Sequence, residues 1–280
     1  MSDLEPPFDQ LTPAALEVYA DQLLERGDVQ GEFIHLQCAR AASDAPTARE
    51  QELEQQLEQR VLAAAGLEHR FQRPALGWRL GVLDSVSLDC DDTLATVATA
   101  LSRWPGSRAL RELTVVGASH SASLGGLLRV APELRFPVLE SFTAFSGVGL
   151  GGPVRELEIE ISGLGPLARA FPRLRRLSLE GLIDGDFGAL HFPELREFSA
   201  ETLAPGAVNW LVKARWPKLE TLRLRFYAPG DGVEPVFGAL LDAPMSPVLA
   251  KVHLETPWPE YFAAALPRSK LGKGRELIVT

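Results

Sequence analysis

Hydrophobic positions in this chain follow two periods. Near the start, Leu16, Tyr19, Ala20, Leu23 and Leu24 recur every three or four residues, the spacing of one helix face. Later, apolar residues alternate in short bursts, as in Phe171-Pro172-Arg173-Leu174-Arg175-Arg176-Leu177-Ser178-Leu179. The burst returns at Phe192-Pro193-Glu194-Leu195-Arg196-Glu197-Phe198 and at Trp216-Pro217-Lys218-Leu219-Glu220-Thr221-Leu222. Alternation places every second side chain on one face, so each burst predicts a half-buried strand.

The early period predicts three helices. Thr12-Pro13 opens the first with a capping hydroxyl and a proline that loses no bond, and Gly27 closes it. Phe33 to Ala39 predicts the second, and Ser43 to Pro46 breaks it. Thr47 to Ala65 predicts the third, with Leu53, Leu57, Val61 and Leu62 on one side and Gly66 at its end. It holds too few heptads for a coiled coil and reads as a solvated amphipathic helix of a small bundle.

Nine strand cores follow, centred on Val86, Leu113, Phe142, Leu157, Leu177, Phe198, Leu222, Val252 and Leu277. Their aromatic-Pro-x-L-x-x-L-x-L pattern resembles leucine-rich repeats, which stack one strand and one return segment per copy. The interval from Phe142 to Leu157 is too short for a helical return, so Gly147 to Pro153 is expected as a tight loop. Elsewhere amphipathic segments fill the intervals: one opens at Asp92-Thr93, one at Pro205, one holds Val236, Phe237, Leu240 and Leu241, and one follows Pro259. Aromatic-proline pairs should end such helices, because proline disfavours helical geometry in the residue before it. The asparagine or cysteine that many such repeats carry after the last Leu is absent, replaced by Asp91, Ala118, Gly147, Ser162, Leu182, Leu203, Tyr227 and Pro257. A less regular coil is therefore expected.

A second resemblance lies in Tyr19-Ala20-Asp21-Gln22-Leu23-Leu24-Glu25-Arg26-Gly27-Asp28-Val29-Gln30-Gly31-Glu32-Phe33-Ile34-His35-Leu36-Gln37. It resembles the bacterial repeat-companion domain, which carries a Y-A-D-x-L-x-E-R-G-D-x-x-G-E-F-I-x-L-Q signature; Gln22 departs from the tryptophan usual in the family and Val29 from the usual proline. That resemblance implies association with repeat modules and no established activity. Asp28 is expected to cap the Phe33 helix and to bridge to Arg26 or the first repeat. The expected fold class is thus α/β: residues 1–77 as a helical repeat-companion and capping module, and residues 78–280 as an irregular leucine-rich-repeat solenoid of about nine strands. Leu67 to Gly77 is the expected junction.

Composition narrows the function. A net charge of −9 argues against a general nucleic-acid binder, which needs a basic face. Cys38 and Cys90 are too few for a disulfide framework and lack metal-ligand spacing. No signal peptide or membrane-length apolar run is visible, so a cytoplasmic protein is expected. Abundant arginine and a single asparagine, Asn209, suggest a GC-rich bacterial genome.

Between the core positions, outward residues form columns. One reads Ser87, Thr114, Thr143, Glu158, Ser178, Ser199, Arg223 and His253; the next reads Asp89, Val116, Phe145, Glu160, Glu180, Glu201, Arg225 and Glu255. Stacked about 4.8 Å apart, Glu160, Glu180 and Glu201 would form a carboxylate ladder beside Glu158. The expected partner-contact residues are Phe145, Glu158, Glu160, Glu180, Glu201, Arg223, Arg225, His253 and Glu255.

Other motifs fall short of chemistry. Gly147-Val148-Gly149-Leu150-Gly151-Gly152 matches G-x-G-x-x-G, but Pro153 and a strand follow where a dinucleotide site needs a helix. Asp89, Asp91 and Asp92 lack an EF-hand spacing, and the five histidines accompany no hydrolase element. No catalytic residue, cofactor or metal is assigned. The expected function is non-catalytic protein binding through the concave face of the solenoid. The alternatives are an immunity- or antitoxin-like protein that masks a basic effector, and an enzyme whose site, lined by Asp21, Glu25, Asp28 and His35, hides in the N-terminal module. Weak self-association through the last strand, Leu277 to Thr280, is also expected.

Overall fold

The computed structural model describes residues 12–40, 45–67, 74–91, 93–117, 123–146, 164–183, 190–203, 208–226, 234–243 and 245–280. Three helices open it: α1 (Pro13–Glu25), α2 (Val29–Ala39) and α3 (Ala48–Ala64). Thr12 caps α1 by accepting from the Ala15 N–H. Thr47 and Glu50 cap α3 reciprocally, each side chain accepting from the other's backbone N–H. The second helix starts four residues ahead of Phe33, because Asp28 accepts from the Gln30 N–H and nucleates the turn there.

Nine strands form one sheet in chain order among the described residues. They are β1 (Ala75–Arg79), β2 (Val82–Asp89), β3 (Glu112–Gly117), β4 (Ser141–Ser146), β5 (Arg176–Ile183), β6 (Glu197–Leu203), β7 (Thr221–Phe226), β8 (Lys251–Glu255) and β9 (Glu276–Val279). The first pair is antiparallel and every later pair is parallel. Between strands run α4 (Leu94–Arg103), α5 (Gly125–Val130), α6 (Gly165–Ala170), α7 (Val208–Lys213), α8 (Glu234–Leu241) and α9 (Pro259–Ala265). The result is a solenoid-like α/β arrangement, with eight of the nine expected cores on strands in register.

Two features differ from expectation. The stretch expected as a junction ends inside β1, which pairs back on β2 through a tight turn with Leu80 at φ 51° and Gly81 at φ 76°. Two successive positive φ angles suit a two-residue hairpin. Second, β4 pairs directly with β5, Phe142 opposite Leu177. The expected core Leu157 falls within residues 147–163, which are outside the described residues.

Each aromatic-proline turn is built the same way. The carbonyls of Phe136, Phe171, Phe192 and Trp216 accept from the N–H three residues on, at Leu139, Leu174, Leu195 and Leu219. Those four leucines are fully buried, and the aromatic rings are at most 5% exposed. Trp104-Pro105 is offset: a 3-10 turn (Pro105–Ala109) follows it, and buried Ser107 takes the aromatic's place. The Trp104 ring stays partly exposed and meets Trp78 edge-on at 6.1 Å.

The helical module and the strands share a core. Val61, Leu62 and Leu67 belong to the main cluster beneath the sheet. Leu16, Ala20 and Leu23 of α1 pack with Val82, Ala109 and Val138. These three lie four residues ahead of Val86, Leu113 and Phe142, which are paired neighbours in the sheet. The next residue in that series is exposed Arg173, followed by Glu194 and Lys218. The apolar stretch of the series thus coincides with the part that α1 covers.

The Y-A-D to L-Q signature accounts for the remaining contacts. A Cβ on Gly31 would fall 2.5 Å from the Ala20 carbonyl oxygen, so glycine permits the close approach of α1 and α2. Gln30 Nε2 donates to the Gly81 carbonyl at 3.1 Å, and the Gly81 N–H donates to Gln37 Oε1 at 2.8 Å. Ile34 lies directly against Gly81, leaving no room for a side chain there. Two glutamines and an isoleucine on α2 therefore hold the hairpin turn that begins the sheet.

Candidate functional site on the open sheet face

Strand alternation splits the sheet into two faces. Val86, Leu113, Phe142, Leu177, Phe198, Leu222 and Val252 face inward and are at most 2% exposed. The residues on either side of them face away from the helices and stay half-exposed or exposed. Pairing stacks these outward residues into columns.

The column after the first core position is Ser87, Thr114, Thr143, Ser178, Ser199, Arg223 and His253. Five consecutive small hydroxyl residues thus meet a cation and an imidazole on β7 and β8. Arg223 is exposed, and neither it nor His253 makes an ion pair with a described residue. Two residues further along, Glu180 stacks on Glu201, and Arg225 stacks on Glu255. Val116 and Phe145 are opposite each other at the start of this column.

Of the expected ladder, Glu180 and Glu201 are described, while Glu158 and Glu160 lie outside the described residues. The Glu201 carboxylate is engaged: Arg225 reaches it at 3.3 Å and reaches Glu255 at 3.0 Å. Glu180 forms no direct ion pair with a described residue. Burial, reinforced by the Glu201 charge, pushes its carboxyl above the usual range, with Arg225 pulling the other way. On this face Arg176 also bridges to Glu112 at 3.1 Å and Lys251 to Glu276 at 3.2 Å. Among the described residues of the expected site, Glu180 and Arg223 are the charged side chains without an ion pair to a described residue.

No protein-family model, curated protein or solved structure matches this chain. The site therefore rests on its own geometry.

The acidic residues of the N-terminal module serve as caps and bridges. Asp28 takes both guanidinium nitrogens of Arg60 on α3, at 2.7 and 3.1 Å, rather than Arg26. That hydrogen bonding holds its carboxyl below the usual range, against the effect of burial. Glu32 is paired with Arg49 at 2.6 Å and is likewise lowered. His35 meets Asp21 at 2.9 Å on the surface. A shallow cleft does open beside the α1–α2 turn, but Arg26, Asp28, Gln56 and Arg60 line it, without Asp21, Glu25 or His35. Asp91 organises the entry to α4, accepting from the N–H and hydroxyl of Thr93. Asp92 is outside the described residues. Among the described residues no group of three or more metal-ligating side chains converges. The Cys90 thiol is buried and pushed up to about 11, which leaves it unreactive at neutral pH.

A charged column escaped the sequence reading. One residue ahead of the outward columns, Asp84, Arg111, Glu140 and Arg175 alternate in sign, with gaps of 3.8, 4.0 and 3.7 Å, and Arg196 pairs with Glu220 at 2.7 Å. The signal was legible as alternating charge two residues before each core position. It lay outside the L-x-L positions, where outward residues were sought.

Proposed function

We propose that this chain is a bacterial leucine-rich-repeat protein with an N-terminal repeat-companion module, and that it binds a protein partner, without catalysis, through the open face of its sheet. The observation that carries the proposal is Glu180. Its carboxyl is raised by burial, stacks on another glutamate and lacks a direct ion pair among the described residues. Half-buried Phe145 directly follows Ala144, the partner of Leu179, on the preceding strand. A lysine or arginine from a partner would relieve the carboxylate and gain a cation–π contact with the ring. Arg223 and His253, on the far side of Glu201, would take an acidic or polar group from the same partner. Stacked-repeat coils commonly present such extended surfaces to partners.

A cytoplasmic location agrees with the absence, among the described residues, of any helix long and apolar enough to cross a membrane. The masking of a basic effector is the second reading, favoured by the same carboxylate and by the net charge of −9. Quantitative affinity capture with the native chain and with a Glu180→Lys/Phe145→Ala variant tests the proposal. A partner recovered by the native chain and lost with the variant, while Glu194→Lys on the turn side keeps it, is the expected result. Equal recovery by all three chains would overturn the proposal.

A further inference from the structure

An acidic chain also contains one arginine-rich recess. A cleft of about 570 Å³ lies where the end of α4 and its 3-10 turn meet the turn before β4. Its charged lining is Arg103, Arg108, Arg135 and Glu133, so cations outnumber acids three to one. Trp104 and Pro105 form one wall, and Pro132 and Leu134 the other. The cleft is separate from the outward columns of the sheet, since its residues belong to helix ends and turns rather than strands.

Local sequence explains the convergence. Arg103 occupies the last turn of α4, where a cation is favoured by the helix dipole. The offset of Trp104-Pro105 inserts a 3-10 turn that brings Arg108 to the same recess. Arg135 directly precedes the Phe136-Pro137 turn of the next repeat. Arg103 and Arg135 are exposed and make no ion pair with a described residue, and Arg108 is half-buried. A recess lined by three arginines and a half-buried tryptophan matches a phosphate group, whose oxygens accept paired N–H donors from guanidinium groups. A volume of this order suits a small molecule and is too small for a folded partner.

We propose that this cleft binds a phosphorylated small molecule, its phosphate held by Arg103, Arg108 and Arg135 and its body against Trp104. Glu133, the acid in the lining, opposes the phosphate. The proposal does not depend on the partner-binding reading of the sheet face.

Titration of the full chain with inorganic phosphate and with phenyl phosphate, against chloride at matched ionic strength, tests it. Both probes should give a saturable change in tryptophan fluorescence and a rise in Tm, and phenyl phosphate should bind more tightly. Arg103→Ala and Arg135→Ala should each weaken binding about tenfold, as loss of a charge-assisted pair does. Glu133→Gln should tighten it. Trp104→Phe should diminish the fluorescence change while phosphate still raises Tm. Because Arg103 and Arg135 are exposed, their variants should keep the native Tm in chloride. A response that chloride reproduces, or one unchanged in the Arg103→Ala/Arg135→Ala chain, would overturn the assignment.

Discussion

Arg225 donates through Nη1 to the Glu201 carboxylate at 3.3 Å. Its Nε lies 3.0 Å from Glu255 at the same time. One guanidinium therefore neutralises two of the acids that the sequence offers to a partner, and Glu180 is left as the carboxylate of this column without a direct ion pair among the described residues. Removing Arg225 would leave the stacked Glu180 and Glu201 without their neighbouring cation, and Glu255 without its partner. Arg225→Ala is expected to destabilise the chain by about 1 kcal/mol at low salt, near the upper end for an exposed pair. The loss should shrink in molar salt, where screening acts over a few ångströms. Denaturant melts at two salt concentrations measure both.

Glu180 predicts an opposite effect. Its folded pKa is raised, so the proton binds the folded state more tightly, and ionisation at neutral pH works against folding. The favourable contribution of the protonated group is complete below the unfolded glutamate range and is lost as pH rises through the folded value. Glu180→Gln should therefore raise Tm at pH 7, by roughly 1 °C once solvent screening is allowed for. The difference should disappear below about pH 4, where the carboxyl is protonated in both states. Paired thermal melts across that range decide it.

Much of this architecture was legible because repeated local signals agreed. The L-x-L bursts placed Leu113, Phe142, Leu177, Phe198, Leu222 and Val252 on neighbouring strands in register. Thr12 and Asp28 were readable as caps because a short oxygen-bearing side chain ahead of a helical run has one inexpensive use. The first strand was not legible. Ala75-Leu76-Gly77-Trp78-Arg79 lacks clean alternation, and the register shifts between Gly77 and Trp78. Nor could sequence decide which strand neighbours β4, since an alternating run shows a face and not a pairing partner. Glu160, and with it that part of the expected ladder, lies outside the described residues. The roles of Gln30 and Gln37 were hidden because both reach a turn more than forty residues away.

That turn gives a third prediction. Gly81→Ala would force a side chain onto Ile34, within 2.6 Å of its Cα, at a φ of 76°. A cost of about 3 kcal/mol is expected from clash and backbone strain together. Gln37→Ala should cost about 1–2 kcal/mol by leaving the Gly81 N–H unpaired. Both losses should appear in chemical denaturation, with Gln37→Ala the milder.

Acid should loosen the helical module. The folded pKa of Asp28 is lowered by Arg60, so its contribution is present above the unfolded aspartate range and is lost as pH falls through the folded value. Asp28→Asn removes the charge and should lower Tm at pH 7, with the gap to the native chain narrowing below about pH 4. Circular dichroism melts at pH 7 and pH 3 compare the two chains.

Carboxyl-group footprinting of the chain bound to its captured partner tests the central claim most directly. Recognition through the open sheet face predicts that labelling of Glu180 falls several-fold on complex formation, while Glu133 and Glu194 on the turn side are labelled as in the free chain. Protection of Glu133 or Glu194 with Glu180 still labelled would contradict it.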